Sequence, residues 1–162
     1  MNEKRTLFLD FCSEITGYSP LELETTGLVD LYQELLEKIL GARLSDFYVV
    51  AQSMVDASDD SYPTDADPGK AKKLVSLLTS STLFWPVAQA LIRLWYLGYW
   101  TQLPNEWYAQ AGLPLPGPTD AGRTHTPSSL AYIEQLSYRT ADAHPPGAKP
   151  TGFGSWSWKP AI

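Results

Sequence analysis

Side chains that could carry catalysis or bind a metal are few in this sequence and poorly spaced for either task. Its two histidines, His125 and His144, have no cysteine or carboxylate at the spacing of metal ligands. The pair Gly152 and Gly154 lacks the third glycine and the strand-to-helix context of a dinucleotide-binding loop. The sequence also has no nucleophile elbow, covalent haem motif or phosphate loop. It therefore predicts no metal or catalytic site and a chain that is not an enzyme by itself.

Clustered carboxylates and the single cysteine offer the remaining chemistry. Five aspartates lie within residues 56–67, without the central glycine and terminal glutamate of a helix-loop-helix calcium loop. Asp10 and Glu14 have a helical spacing that is typical of solvated helix faces. Cys12 has no second cysteine with which to form an intrachain disulfide. We therefore expect a solvated acidic loop, and a buried Cys12 in preference to a reactive thiol.

Composition and charge narrow the class of protein. With 162 residues, 44% hydrophobic and 19% charged, the chain is expected to form one globular domain. A net charge of -6 with scattered basic residues argues against nucleic acid as a partner. The longest apolar run, residues 83–100, is interrupted by Pro86, Gln89 and Arg93, so it predicts a buried helix and not a membrane span.

The first residues, MNEKRTLFLDF, lack the apolar run and cleavage site of a signal peptide. We therefore expect the chain as written to be cytoplasmic. A periplasmic location is expected instead if a presequence was removed or if a partner directs export.

Helical periodicity predicts the elements that must position any site. Strand-like alternation is absent, so the sequence predicts an all-α single domain of five to six helices over residues 1–141. The apolar positions expected to face inward, helix by helix, are Leu7, Phe8, Phe11 and Ile15; Leu28, Leu31, Leu35 and Ile39; Phe47, Val50, Ala51 and Met54; Ala71, Leu74, Val75 and Leu78; Val87, Leu91, Leu94 and Trp95; and Leu130, Ile133, Leu136 and Tyr138.

Helix ends are marked by residues with known capping roles. Gly17, Gly41 and Gly98 follow the last periodic positions of three helices, as C-terminal caps do. The sequence Ser-Pro-Leu-Glu at residues 19–22 has the capping-box pattern. Ser45 is expected to cap the third helix, and Ser128 or Ser129 the last one.

Two segments rich in proline and glycine decorate these helices. Residues 101–127 hold five prolines and three glycines and predict a long irregular loop. Residues 142–162 predict an extended tail that carries Phe153, Trp156 and Trp158 and that must lie on some surface. The many aromatic residues of residues 85–108 and of the tail fit either packing onto the core or a binding interface, because Trp and Tyr dominate binding hot spots.

Three segments, in order along the chain, resemble one protein family. FLDFCSEITG, ALIRLWYLGYW, and AYIEQLSYR followed by HPPGAKPTGFGSWSWKP are similar to the small subunits of bacterial FAD-dependent sugar and polyol dehydrogenases, such as those of sorbitol, fructose and glucose dehydrogenase. The resemblance also extends to proteins like subunit 3 of gluconate 2-dehydrogenase. It covers nearly the whole chain.

The resemblance implies a non-catalytic accessory subunit in a heterodimer. In this family the partner is a flavoprotein of the glucose-methanol-choline (GMC) oxidoreductase class, which binds FAD and oxidises a sugar or polyol, often with a cytochrome as electron acceptor. The small subunit keeps the large one folded and stable. This chain departs from the family in lacking a twin-arginine signal and a tail cysteine, where Pro145 and Pro146 stand instead. The implied grip on the partner is therefore noncovalent.

The resemblance also assigns the structural motif, which comprises Trp95, Tyr96, Gly98, Tyr132 and Glu134. Our main hypothesis is that the tail and the loop of residues 101–127 grip the flavoprotein. The residues expected to bind the partner are Trp107, Tyr108, Lys149, Pro150, Phe153, Trp156 and Trp158. No cofactor is expected in this chain, since FAD would belong to the partner. The alternative hypothesis is a free-standing helical protein whose aromatic residues line a pocket for a small molecule.

Overall fold

The computed structural model describes residues 3–58, 76 and 81–143, and these residues are mainly helical. The helices are α1 (Glu3–Thr16), α2 (Pro20–Glu24), α3 (Val29–Leu40), α4 (Leu44–Ser58), α5 (Trp85–Leu97), α6 (Asn105–Ala111), α7 (Ser129–Ile133) and α8 (Ser137–Thr140), with a 3₁₀ turn at Gly41–Arg43. The described part of the chain contains no strand, only an isolated antiparallel bridge between Trp100 and His125. The predicted all-α class is confirmed.

The capping box begins a short helix of its own. Ser19 accepts a hydrogen bond from the backbone N–H of Glu22, whose side chain accepts one from the Ser19 N–H at 2.8 Å. The helix that starts here, α2, ends at Glu24, and Gly27 with φ +68° separates it from α3. The capping-box pattern predicted at residues 19–22 is confirmed.

The second predicted helix has nearly the bounds that its apolar stripe indicates. α3 runs to Leu40 and ends at Gly41, as predicted. The third helix starts earlier than predicted: Ser45 lies in the first turn of α4, because a 3₁₀ turn leads directly into that helix. The fourth predicted helix and most of the acidic segment fall outside the described residues, apart from helical Ser76 and the end of α4.

The core is assembled mainly by α1, α3, α4 and α5, with α1 packed chiefly on α4. Aromatic rings join these helices edge to face, with Phe11 and Phe47 centroids 5.1 Å apart and Phe47 and Phe84 centroids 5.9 Å apart. Cys12 is fully buried among them, as expected. Burial raises the pKa of its thiol to about 12, and the Trp95 indole N–H opposes this rise only in part.

The last predicted helix is divided in two. Ser128 caps α7 through its hydroxyl, which accepts from the Ala131 N–H at 3.1 Å. α7 ends at Ile133, and Leu136 is buried just before α8 begins. The inward orientation predicted for Leu130 is wrong, since 41% of this residue is exposed.

Within the described ranges, no helix is both long and apolar enough to cross a membrane. The same residues contain no group of three or more His, Cys, Asp and Glu side chains that could hold a metal ion.

Candidate partner-binding surface

The Trp-Tyr-Leu-Gly motif at residues 95–98 forms the end of α5 and belongs largely to the core. Trp95 is fully buried, and its ring lies edge to face against Tyr32, with centroids 4.7 Å apart. The Tyr96 hydroxyl donates to the Thr16 carbonyl at 2.7 Å, which ties α5 to the end of α1. This arrangement agrees with the prediction that the motif serves the core and stops the helix.

Gly98 is the position in the motif where no other residue fits without strain. Its φ is +72°, in the left-handed region that side chains disfavour. A Cβ built here would lie 2.5 Å from the carbonyl oxygen of Ala131 and 3.1 Å from Cα of Tyr132. The glycine therefore both ends α5 and lets the backbone of α7 approach it closely.

The three segments that carry the family resemblance contact one another. Tyr96 of the second segment binds Thr16 of the first, as described above. The Leu136 N–H of the third segment donates to the Trp95 carbonyl at 3.0 Å, and the backbone of Gly98 lies against that of Ala131. The described parts of these segments thus form one packed unit at the end of α5, while the tail of the third segment lies outside the described residues.

Residues 101–127 are less irregular than predicted, because α6 lies within them. Pro104 precedes the helix, and Gly112 with φ +67° ends it. The rest of the segment is held by backbone and side-chain hydrogen bonds. Trp100 and His125 exchange backbone bonds of 2.8 and 3.1 Å, and the Trp100 indole N–H donates to Gly122 O at 3.3 Å. This loop is a structured part of the domain.

Trp107 and Tyr108, which were expected to bind a partner, are buried in the chain itself. Only 2% of Trp107 and 3% of Tyr108 is exposed, and the Trp107 indole N–H donates to the Leu83 carbonyl. The buried Tyr108 hydroxyl makes no hydrogen bond of ordinary geometry. Burial raises its pKa, and Arg123 and the Leu103 backbone oppose this rise. Both side chains fix α6 to the core, so the surface that a partner would meet is formed by other residues.

An open groove of about 380 Å³ lies between the end of α3 and the segment that follows α6. Ile39, Leu113 and Pro116 give it apolar walls, while Lys38 and Asp120 lie at its polar edge. Sequence reasoning did not identify it, because its walls come from segments that are distant in sequence.

Exposed aromatic surface is found instead beside the Gly98 contact. Tyr132 is 53% exposed and Tyr99 is 36% exposed, and they flank the point where α5 meets α7. Glu134, the other residue assigned to this motif, caps α7, and its N–H donates to the Leu130 carbonyl at 2.9 Å. The predicted tail contacts Lys149, Pro150, Phe153, Trp156 and Trp158 lie outside the described residues.

Comparisons with protein-family models, curated proteins and solved structures found no match to this chain.

Proposed function

We propose that the chain is a non-catalytic small subunit that binds and stabilises an FAD-dependent dehydrogenase of the GMC class, which oxidises a sugar or polyol. FAD and the reacting groups would belong to that partner, and a cytochrome would join through the complex. The supporting observation is the contact between the described parts of the three segments of the resemblance, since Tyr96, Gly98 and the backbone of Trp95 join them in one unit.

The described residues also support a role in binding rather than in chemistry. Two polar side-chain groups near the motif bind backbone carbonyls: the Tyr96 hydroxyl donates to Thr16 and the Trp100 indole N–H donates to Gly122. The aromatic side chains that are exposed, Tyr99 and Tyr132, are of the type that dominates protein interfaces. We infer that the partner contacts this side of the domain together with the tail.

Co-expression with a GMC-class flavoprotein, sought in the reading frames that neighbour this one, tests the proposal. We expect a yellow complex that survives affinity purification through a tag on this chain, and a flavoprotein that aggregates when expressed without it. If the full-length chain purifies without any flavoprotein, the proposal is wrong. A yellow colour in this chain expressed alone would instead indicate an oxidoreductase in its own right.

The role of the tail is tested by truncation and by matched point variants. Deleting residues 147–162 should leave a folded helical domain that no longer retains the flavoprotein. Trp156→Ala and Trp158→Ala should each weaken the complex by about 2 kcal/mol or more if they are hot-spot residues, whereas Pro160→Ala in the same tail is the control. A truncated chain that still co-purifies in full yield would show that the tail is not the clasp.

The alternative, a free-standing protein that binds a small molecule, rests on the groove beside α3. Its apolar walls with a few polar groups at the edge are the usual composition of a ligand site. This alternative predicts a monomeric, well-behaved chain in isolation whose stability rises when a small apolar ligand binds. An accessory subunit should instead self-associate when its partner is missing.

A further inference from the structure

One cluster of exposed apolar side chains stands out in the described residues. Leu97, Tyr99, Leu130 and Tyr132 are 41%, 36%, 41% and 53% exposed, and each is a sequence neighbour of Gly98 or Ala131. Because Gly98 and Ala131 touch, these four side chains belong to one neighbourhood, which we call the α5–α7 face. The other large exposed apolar residues, Leu21, Val49 and Leu115, lie singly on α2, α4 and the loop after α6.

Such a face is costly to leave in water. Burying apolar surface stabilises by about 25 cal/mol per Å², and clustered exposed apolar side chains usually mark a surface that something covers. The helices of the domain already pack on other sides: α5 buries Leu91, Leu94 and Trp95 against the core. The cover must therefore come from another part of the chain or from another molecule.

The described chain ends next to this face. Tyr138 lies close enough to Tyr132 for their hydroxyls to interact. After α8 the chain turns at Asp142, whose φ is +47°, and the Ala143 N–H donates to the Tyr138 carbonyl at 3.0 Å. The last described residue, Ala143, is therefore hydrogen-bonded to Tyr138, which lies beside Tyr132.

We propose that residues 144–162 cover the α5–α7 face in the free chain, with Phe153, Trp156 and Trp158 as the apolar anchors. Phe153 is the tenth residue after Ala143, so an extended segment of about 3.1 Å per residue could place it up to roughly 30 Å away. Because the segment is tethered beside its target, its effective concentration there is on the order of millimolar. Modest affinity is then sufficient for it to cover the face.

This inference goes beyond the proposed function and concerns the chain before it meets a partner. If the same tail then grips the flavoprotein, the α5–α7 face becomes available at the same time. Every measurement below uses the free full-length chain or its fragments, so a failure here leaves the co-purification test untouched.

Disulfide trapping gives the first test. The variant Tyr132→Cys with Ser157→Cys places one thiol on the face and one between the two tail tryptophans. Under a mild oxidant we expect an intramolecular disulfide on a chain of monomeric mass. The control pair, Val49→Cys with Ser157→Cys, puts the first thiol on an equally exposed apolar position of α4. The native Cys12 stays in place, since it is buried.

The outcomes of the trapping experiment are distinct. Intramolecular trapping of the Tyr132 pair that is on the order of tenfold faster than that of the Val49 pair supports the proposal, since the tail would be concentrated at one site. Equal rates for the two pairs overturn it. A disulfide-linked dimer as the main product would show that a second copy, and not the tail of the same chain, covers the face.

A fragment experiment gives an independent test that needs no cysteine. A chain ending at Ala143 should bind the dye ANS several-fold more strongly than the full-length chain, and a synthetic peptide of residues 144–162 should displace the dye. Tyr132→Ser in the truncated chain should weaken peptide binding, while Val49→Ser should not. If truncation leaves dye binding unchanged, or if the peptide does not bind, the tail does not cover this face.

Discussion

Replacing Gly98 by alanine should destabilise the domain more than an equivalent change at Gly17. Both glycines have left-handed φ angles, +72° and +77°, so alanine costs about 1 kcal/mol or slightly more at either position. Only at Gly98 does the new Cβ meet backbone, at 2.5 Å from the Ala131 oxygen, while nothing lies within 4 Å at Gly17. Moving that backbone is a form of overpacking, which typically costs about 1–3 kcal/mol more.

The expected loss of unfolding free energy is therefore about 1 kcal/mol for Gly17→Ala and about 2–4 kcal/mol for Gly98→Ala. The entropy that alanine removes from the unfolded chain is the same for both variants and cancels in the comparison. Urea unfolding followed by circular dichroism measures both values. With a slope of about 2 kcal/mol per molar urea, the difference between the two variants is about 1 M in the midpoint.

Asparagine variants separate the two causes. Because asparagine tolerates left-handed φ, Gly17→Asn should regain most of the stability lost in Gly17→Ala. Gly98→Asn still carries a Cβ and should stay destabilised. If Gly98→Ala and Gly17→Ala prove equally stable, or if Gly98→Asn recovers fully, the close contact between α5 and α7 does not constrain the domain and our reasoning is refuted.

Three further predictions concern single side chains. The Arg5 guanidinium donates a hydrogen bond to the Glu24 carboxylate and holds the pKa of that carboxyl below its ordinary 4.5. The pair therefore stabilises the fold above about pH 5, and this contribution is lost as pH falls through the lowered pKa. Because Glu24 is partly exposed, Arg5→Met should cost no more than about 1 kcal/mol at pH 7 and still less near pH 3, as urea unfolding at both pH values would show. Trp107→Phe should cost about 1–3 kcal/mol, because Leu83 loses its donor; weaker partner binding at unchanged stability would place the indole at an interface instead. Cys12 should resist alkylation at pH 8 until urea unfolds the chain, and equal rates for native and unfolded protein would contradict its burial.

The outline of the fold could be predicted where local patterns and tertiary packing agree. The apolar stripe of α3 and the glycine that ends it gave correct bounds, because both the helix period and the positive φ that a glycine supplies at a helix end depend on residues close in sequence. α6 was overlooked although Pro104 and Gly112 bracket a helical spacing of Trp107, Tyr108 and Ala111. The prolines and glycines around it favoured an irregular interpretation.

The aromatic residues show where sequence reasoning stops. Tryptophan and tyrosine suit both cores and interfaces, so the residue type alone does not separate the two. Trp107 proved to be buried while Tyr132 is exposed, and this difference depends on how α6 and α7 pack on α5. The prediction that Leu130 faces inward was wrong because a helix of only five residues provides too little periodicity to define its buried side.

The sequence alone determined the helical class, the ends of α1, α3 and α5 at glycines, and the burial of the single cysteine. These features follow from short-range rules: the period of apolar residues, the φ that a cap requires, and the apolar neighbours of Cys12. Only the tertiary structure decided which aromatic side chains are exposed and that the backbone of α7 closes on Gly98. Those features depend on contacts between segments more than 30 residues apart, and no local pattern in the chain encodes them.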